Sequence, residues 1–367
     1  MKKAHAMSQW PDTRILDLFC VDLPILQAPM AGATSPEMVI AVSEAGGLGS
    51  LPSAQYNVEQ LRIALDTIRA ATKKPVNVNF FSHTMPEIDP GRQTAWRTRL
   101  APYYIEAGLD PAMSVPAGGR APFDSFFCEV VEAYRPEVVS FHFGLPDVEL
   151  VRRVRATGAK IISSATTVAE ARWLADRGVD AIIAMGFEAG GHRGNFLTQD
   201  MATQVGTMAL VPQIVDAVKI PVIAAGGIGD GRGIAAAFAL GASAVQIGTS
   251  YLFTPEANIP PVHRAALEHA GDDSTALTNV FTGRPARGVM NRIMREVGPL
   301  TDLAPAFPTA GGALAPLRAK AEAIGSGDFT NLWSGQAAKL AQPLPSSELT
   351  IGLANEAIAL MKRLARR

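Results

Sequence analysis

The sequence is poor in cysteine, in charge of either sign and in long apolar runs, and each lack excludes something. Its two cysteines, Cys20 and Cys128, are far apart and form no C-x-x-C pattern. That excludes a cysteine-rich metal site and gives a structural disulfide no support. The 33 Lys and Arg residues nearly balance the 34 Asp and Glu, for a formal net charge of −1. No basic field is available for nucleic acid, and no block of like charge marks a polyanion partner. The start M-K-K-A-H-A-M-S-Q-W is basic but leads into no apolar stretch. No run approaches the roughly 18 apolar residues of a membrane span, so neither secretion nor a membrane is expected, and cytoplasm is the expected compartment. No internal repeat or long low-complexity tract appears.

What is present is material for a large core: 48% hydrophobic residues against 18% charged ones. Short apolar runs begin near residues 25, 48, 75, 138, 160, 181, 221 and 244. All but the last are followed by a helical pattern, with helices expected at 36–45, 58–70, 147–156, 207–218 and 233–240. In the second of these, Leu61, Ala64, Leu65 and Ile68 mark one helical face. Ser35 precedes Pro36 and Glu37 as an N-cap, and Thr167 with Glu170 reads as a capping box. Alternating strands and helices mean a parallel sheet with crossovers. Eight such units predict an α/β fold of the (β/α)8 TIM barrel type rather than an open doubly wound sheet, because no dinucleotide glycine motif follows the first strand. Residues 1–254 are the expected barrel. Residues 82–136, rich in proline and helical only at 93–107, read as an insertion after strand three that caps the site. Residues 255–367 drop the alternation and read as a mostly helical subdomain over the barrel mouth, with helices at 255–270 and 353–364.

A barrel does its chemistry at the C-terminal ends of its strands. That places Met30, Asn79, His142, Ser164, the stretch 185–194, Gly226-Gly227 and Gln246–Thr249 around one mouth. A-M-G-F-E-A-G-G-H-R-G at 184–194 puts four glycines, Glu188, His192 and Arg193 just past strand six. Glycines permit sharp turns or close approach to a ligand, and a histidine there can act as acid or base. A glycine-rich connection with a solvated His-Arg pair explains the same residues. Gly226-Gly227 and Gly248-Thr249, after the last two strands, offer N–H donors to a phosphate. The alternative is tight turns with Asp230 as a helix cap. The run G-G-I-G-D-G-R-G fails as a dinucleotide fingerprint because Arg232 stands where its last glycine belongs. His142, alone on its strand, reads more readily as a satisfied rim histidine. No carboxylate or thiolate set joins the histidines, so no metal site is expected.

The sequence carries Q-A-P-M at 27–30, S-E-A-G-G-L-G-S at 43–50, N-V-N-F-F at 77–81, S-F-H-F-G at 140–144, G-F-E-A-G-G-H-R-G at 186–194, A-A-G-G-I at 224–228 and Q-I-G-T at 246–249. Together these motifs resemble the class I branch of the nitronate monooxygenase family, formerly 2-nitropropane dioxygenase. G-R-P-A-R-G-V-M-N-R at 283–292 and W-S-G-Q at 333–336 extend the likeness. The resemblance implies an FMN-dependent enzyme that oxidises alkyl nitronates, and possibly nitroalkanes, with O2 to a carbonyl compound and nitrite through a flavin semiquinone. It implies that Gln27, Ala28, Pro29 and Met30 pass along the flavin face. Asn79, Met185, Gly190, Gly226, Gly227, Gln246, Ile247, Gly248 and Thr249 would contact FMN, the last four near its phosphate. His192 matches the family's active-site histidine and His142 its second pocket histidine. Met185 stands where the family usually has glutamine, so a thioether that cannot donate replaces an amide. The expected partners are a small anionic nitronate and O2, with a homodimer left open. Two other functions compete. One is an NAD(P)H-dependent FMN reductase of the enoyl-ACP or quinone reductase type, which shares E-A-G-G-H and A-A-G-G-I. The other is a non-catalytic barrel that binds a phosphorylated metabolite.

Overall fold

A computed structural model describes residues 9–116 and 119–366. The chain begins with α1 (Arg14–Phe19), β1 (Ile25–Gln27), α2 (Pro36–Glu44), β2 (Gly49–Pro52), α3 (Val58–Ala71) and β3 (Val76–Phe81). Next come α4 (Pro90–Glu106), α5 (Ser125–Tyr134), β4 (Val138–His142), α6 (Val148–Ala156), β5 (Lys160–Ala165), α7 (Val168–Asp176) and β6 (Ala181–Met185). They are followed by β7 (Gly191–His192), α8 (Thr207–Ala217), β8 (Val222–Ala225), α9 (Gly231–Ala239) and β9 (Ala244–Ile247). The last part holds α10 (Pro261–His269), β10 (Thr275–Thr278), β11 (Ala286–Val289), α11 (Arg292–Val297), α12 (Ala315–Glu322) and α13 (Ser346–Ala365).

Eight strands form one parallel sheet in the order β1-β9-β8-β6-β5-β4-β3-β2. A parallel bridge from Leu26 to Leu48 joins its two ends, with Leu48 N donating to Ile25 O at 2.9 Å. The sheet is therefore the expected (β/α)8 barrel. Its strands are buried almost throughout, as strands covered on both faces must be. The sequence caps work locally: Ser35 Oγ accepts from Met38 N, with Pro36 in the first turn of α2. Thr167 caps α7 through Glu170 N, but the expected reciprocal bond is absent because the Glu170 carboxylate turns to Thr166 instead.

Tertiary packing redistributes the chain's two irregular stretches. Within 82–136, α5 lies between α3 and α6 and is the barrel's own crossover helix. Only α4 and its flanks leave the shell. Likewise α13 packs on α9 and α2, which makes it the eighth barrel helix, reached only after the intervening residues 255–345. Those intervening residues are not all helical, since β10 and β11 pair antiparallel and β11 also pairs with β7. A second apolar core joins α4 to this region, with Trp96, Leu100 and Tyr104 against Phe281, Ile293, Leu314 and Leu317. Trp96 Nε1 donates to Ala310 O at 3.1 Å, so the indole is both buried and satisfied. These two segments, distant in sequence, form one layer over the barrel mouth.

Candidate active site

Between the strand ends and this layer lies a cavity of about 690 Å³. Ala28, Pro29, Met30, Asn79, His142, Met185, Gly190, His192, Gly226, Gly227, Gln246, Gly248 and Thr249 all line it. Ile247 does not. Its side chain is buried in the barrel core, and its carbonyl accepts from Ala28 N at 2.8 Å, which holds the 28–30 segment at the rim. Gln27 also faces inward, its Oε1 accepting from Ser50 N and its Nε2 donating to Thr34 Oγ1. The alternation of side chains along β1 and β9 explains both positions: neighbours in a strand point to opposite faces.

At the β8–β9 side, Gly226 and Gly227 have φ of 110° and 70°, values that side-chain-bearing residues rarely adopt. Among the described residues, the N–H groups of Gly227 and Ile228 have no protein acceptor. Gln246 Oε1 is buried without a partner while its residue lines the cavity. The nearby helix end is already filled, because Asp230 caps α9 by accepting from Arg232 N and Gly233 N. Any anion here must therefore be held by the loops and not by the helix terminus.

On the β6 side, three of the glycines lie hard against other parts of the protein. A Cβ on Gly186 would strike Thr207, one on Gly190 the backbone of Ser334 and Gly335, and one on Gly194 Ser164 and His142. Their lack of a side chain lets protein pack on protein. Gly191, at φ 70°, needs its left-handed backbone instead. Nor is the His-Arg pair solvated. Arg193 is fully buried and donates to the carbonyls of Gly186 at 2.6 Å and Met185 at 2.9 Å. Burial, then the charge of Arg287, pushes its guanidinium down to about 10. Glu188 is the cap of α8, its carboxylate accepting from Thr207 N and Thr207 Oγ1 at 2.8 Å.

The two predicted histidines are brought together, and they differ. His142 has both ring nitrogens engaged: Nε2–H donates to His192 O at 3.2 Å, and Nδ1 accepts from Ser164 O–H at 2.7 Å. Burial, followed by the charge of Arg284, pushes it down to about 3. It is a neutral strut at working pH. The ring of His192 is surrounded by Phe81, Phe143, Phe307 and Trp333, with centroids 5.3 to 6.2 Å away. Its Nε2 pairs with Thr282 Oγ1 at 2.9 Å, and among the described residues its Nδ1 has no hydrogen-bond partner. Burial, then the charge of Arg120, holds it well below the usual histidine value. A neutral imidazole with one uncommitted nitrogen in an apolar box can accept a proton. Among the described residues no group of three or more His, Cys, Asp or Glu could hold a metal.

The profile of the nitronate monooxygenase family matches residues 12–356. The chain belongs to that family. It is 40% identical to a nitronate monooxygenase of Pseudomonas aeruginosa, over 94% of this chain and 98% of the other. Among solved structures, the nitroalkane oxidase of Streptomyces ansochromogenes superposes with a TM-score of 0.86 at 38% identity, covering 96% and 99% of the two chains. FabK of Thermotoga maritima gives 0.73 at 30% identity, covering 96% and 98%. The family is flavin-dependent, and the chain is an oxidoreductase acting on nitronates or nitroalkanes.

Several residues in and around the cavity had no local signal in the sequence. Arg120 lines the cavity from the α4–α5 segment, and burial lowers its guanidinium. Phe307 and Thr282 reach His192 from the far part of the chain. His83 lies against the same three phenylalanines as His192, with its ring 4.7 Å from Phe307. Burial and then Arg284 push His83 down to about 4. The motif around 283–292 did point here, since β11 holds β7 in place. Among the described residues no helix is long and apolar enough to cross a membrane.

Proposed function

We propose that the chain binds FMN across the barrel mouth and oxidises alkyl nitronates, and nitroalkanes after deprotonation, with O2 to a carbonyl compound and nitrite. The observation that carries this reading is one cavity with two unlike ends. At one end, the unpaired N–H groups of Gly227 and Ile228 suit a phosphate. At the other, His192 is held neutral among aromatic rings. The orphaned Oε1 of Gln246 fits a donor on a heterocycle or ribityl chain. When bound, FMN supplies the electron acceptance and the reaction with O2.

The protein's part is positioning, exclusion of water and proton transfer. His192 removes the α-proton of a nitroalkane, and Thr282 fixes the ring that does so. A nitronate arrives deprotonated and needs no base. Arg120 provides a positive potential for its nitro oxygens in a site from which the phenylalanines exclude water. A purified protein with a flavin absorbance spectrum, whose flavin is bleached anaerobically by propionate 3-nitronate, supports the proposal. Bleaching by NADH with no response to the nitronate sinks it in favour of the reductase. A colourless protein that FMN cannot reconstitute favours the metabolite-binding barrel.

A further inference from the structure

Behind the end of β6, outside the cavity, runs a line of polar groups that is buried except at the half-buried Gln204. Glu170 and Arg193 are each fully buried, and neither forms a salt bridge with any described residue. They are joined through two neutral side chains. Arg193 Nε donates to Gln204 Oε1 at 3.0 Å, and Gln204 Nε2 donates to Thr166 Oγ1 at 3.0 Å. Thr166 Oγ1 then donates to Glu170 Oε2 at 2.8 Å, and the other carboxylate oxygen accepts from Phe196 N at 2.6 Å. Every donor points the same way, from guanidinium to carboxylate, so the intervening dipoles stabilise both charges. A buried charge is tolerated only with such compensation.

The guanidinium's remaining donors clamp the carbonyls of Met185 and Gly186, where β6 turns into the cavity wall. Arg287, almost as deeply buried, holds the next carbonyl, Phe187 O, at 3.1 Å. Three successive carbonyls are thus drawn away from the cavity by two arginines, leaving Met185, Ala189 and Gly190 along its wall. We propose that Arg193, braced through Gln204 and Thr166 against Glu170, is a positioning residue that sets the flavin-facing backbone of residues 185–190. The proposal rests on the flavin reading above. It does not follow from the apolar core, because a hydrophobic residue could fill the volume but not hold the carbonyls.

The test compares wild type with Arg193→Lys and Gln204→Leu. A lysine keeps the charge but cannot reach three acceptors with a rigid fork. FMN dissociation constants are read by quenching of flavin fluorescence, and the midpoint potential of bound flavin is read at saturation. Both are measured well below each variant's unfolding temperature. Arg193→Lys is expected to weaken FMN about tenfold or more and to shift the potential, and Gln204→Leu to weaken it about threefold or more. A lowered melting temperature with FMN affinity within threefold of wild type and an unmoved potential would assign the network to stability alone and overturn the proposal. Should Arg193→Lys fail to fold, the FMN affinity of Gln204→Leu decides by the same threefold limit. Wild type that binds no FMN removes the flavin reading itself, and this proposal with it.

Discussion

The two sides of the barrel mouth use opposite physics. At the end of β8 the backbone does the work, with glycines at positive φ and, among the described residues, N–H groups that lack a protein acceptor. At the ends of β4 and β6 the side chains do it, with both nitrogens of His142 and the Nε2 of His192 tied and both histidines held neutral by burial. The first side suits an anion that must be held; the second suits a proton that must move in a dry place. The lesson lies in how each tolerates change. Backbone donors are lost only when the chain itself is distorted, whereas a neutral imidazole depends on its whole surroundings.

Breaking the side-chain half should have the largest effect. His192→Ala is expected to retain FMN and to lose turnover on nitroalkanes by about 10²- to 10⁴-fold, with a smaller loss on a preformed nitronate. Wild-type-like steady-state rates on a nitroalkane would remove His192 from any base role. Gly227→Val attacks the other half. It forces a β-branched residue to φ 70° with its Cβ 3.3 Å from Glu188 Cβ. This should destabilise the fold by roughly 1–3 kcal/mol and weaken FMN, while turnover at saturating FMN stays near wild type. Isothermal titration and thermal melts separate these outcomes, and a collapse of turnover at saturation would contradict the division of labour.

Thr282→Val removes the hydrogen bond that fixes His192 Nε2. It should lower turnover on a nitroalkane by about tenfold, the equivalent of one well-placed hydrogen bond of roughly 1–1.5 kcal/mol. Acid tests the same half through stability. Burial holds His83 down to about 4 and His142 to about 3. The unfolded chain takes up protons below about pH 6.5, while the folded protein stays neutral there. Stability should therefore fall as pH drops from about 6.5 toward these folded values. His83→Gln should flatten that fall in a series of melting temperatures, and an identical slope in the variant would contradict it. The smallest effect is expected of Met185→Gln, which restores an amide to the cavity wall. A gain in FMN affinity of a few-fold, up to about 1 kcal/mol, is expected from one added hydrogen bond.

The sequence was most informative where function needs particular residues at strand ends. The eight apolar runs and their intervening helices were legible because a parallel barrel buries its strands on both faces. His142, His192 and thirteen further residues, Gln27 among them, were placed at the site from the order of strands and the resemblance, and of these Gln27 and Ile247 lie outside the cavity wall. The cause is strand phase: the pleat turns Ile247 into the core and leaves Gln246 and Gly248 at the rim. At Gly186, Gly190 and Gly194 a Cβ would strike protein atoms, and a Gly-rich motif by itself does not say whether ligand or protein makes the close approach.

Tertiary structure alone decided the rest, because it depends on contacts between segments far apart in the chain. No local pattern could show that α13 closes the shell after nearly a hundred intervening residues, or that α4 packs against Leu314 and Leu317. No pattern could show that Thr282 fixes His192, or that Arg193 is fully buried rather than solvated. A sequence records which side chains are available and the period at which they repeat. Whether a charge is exposed, and whether a histidine is protonated, depends on what the folded chain packs around it.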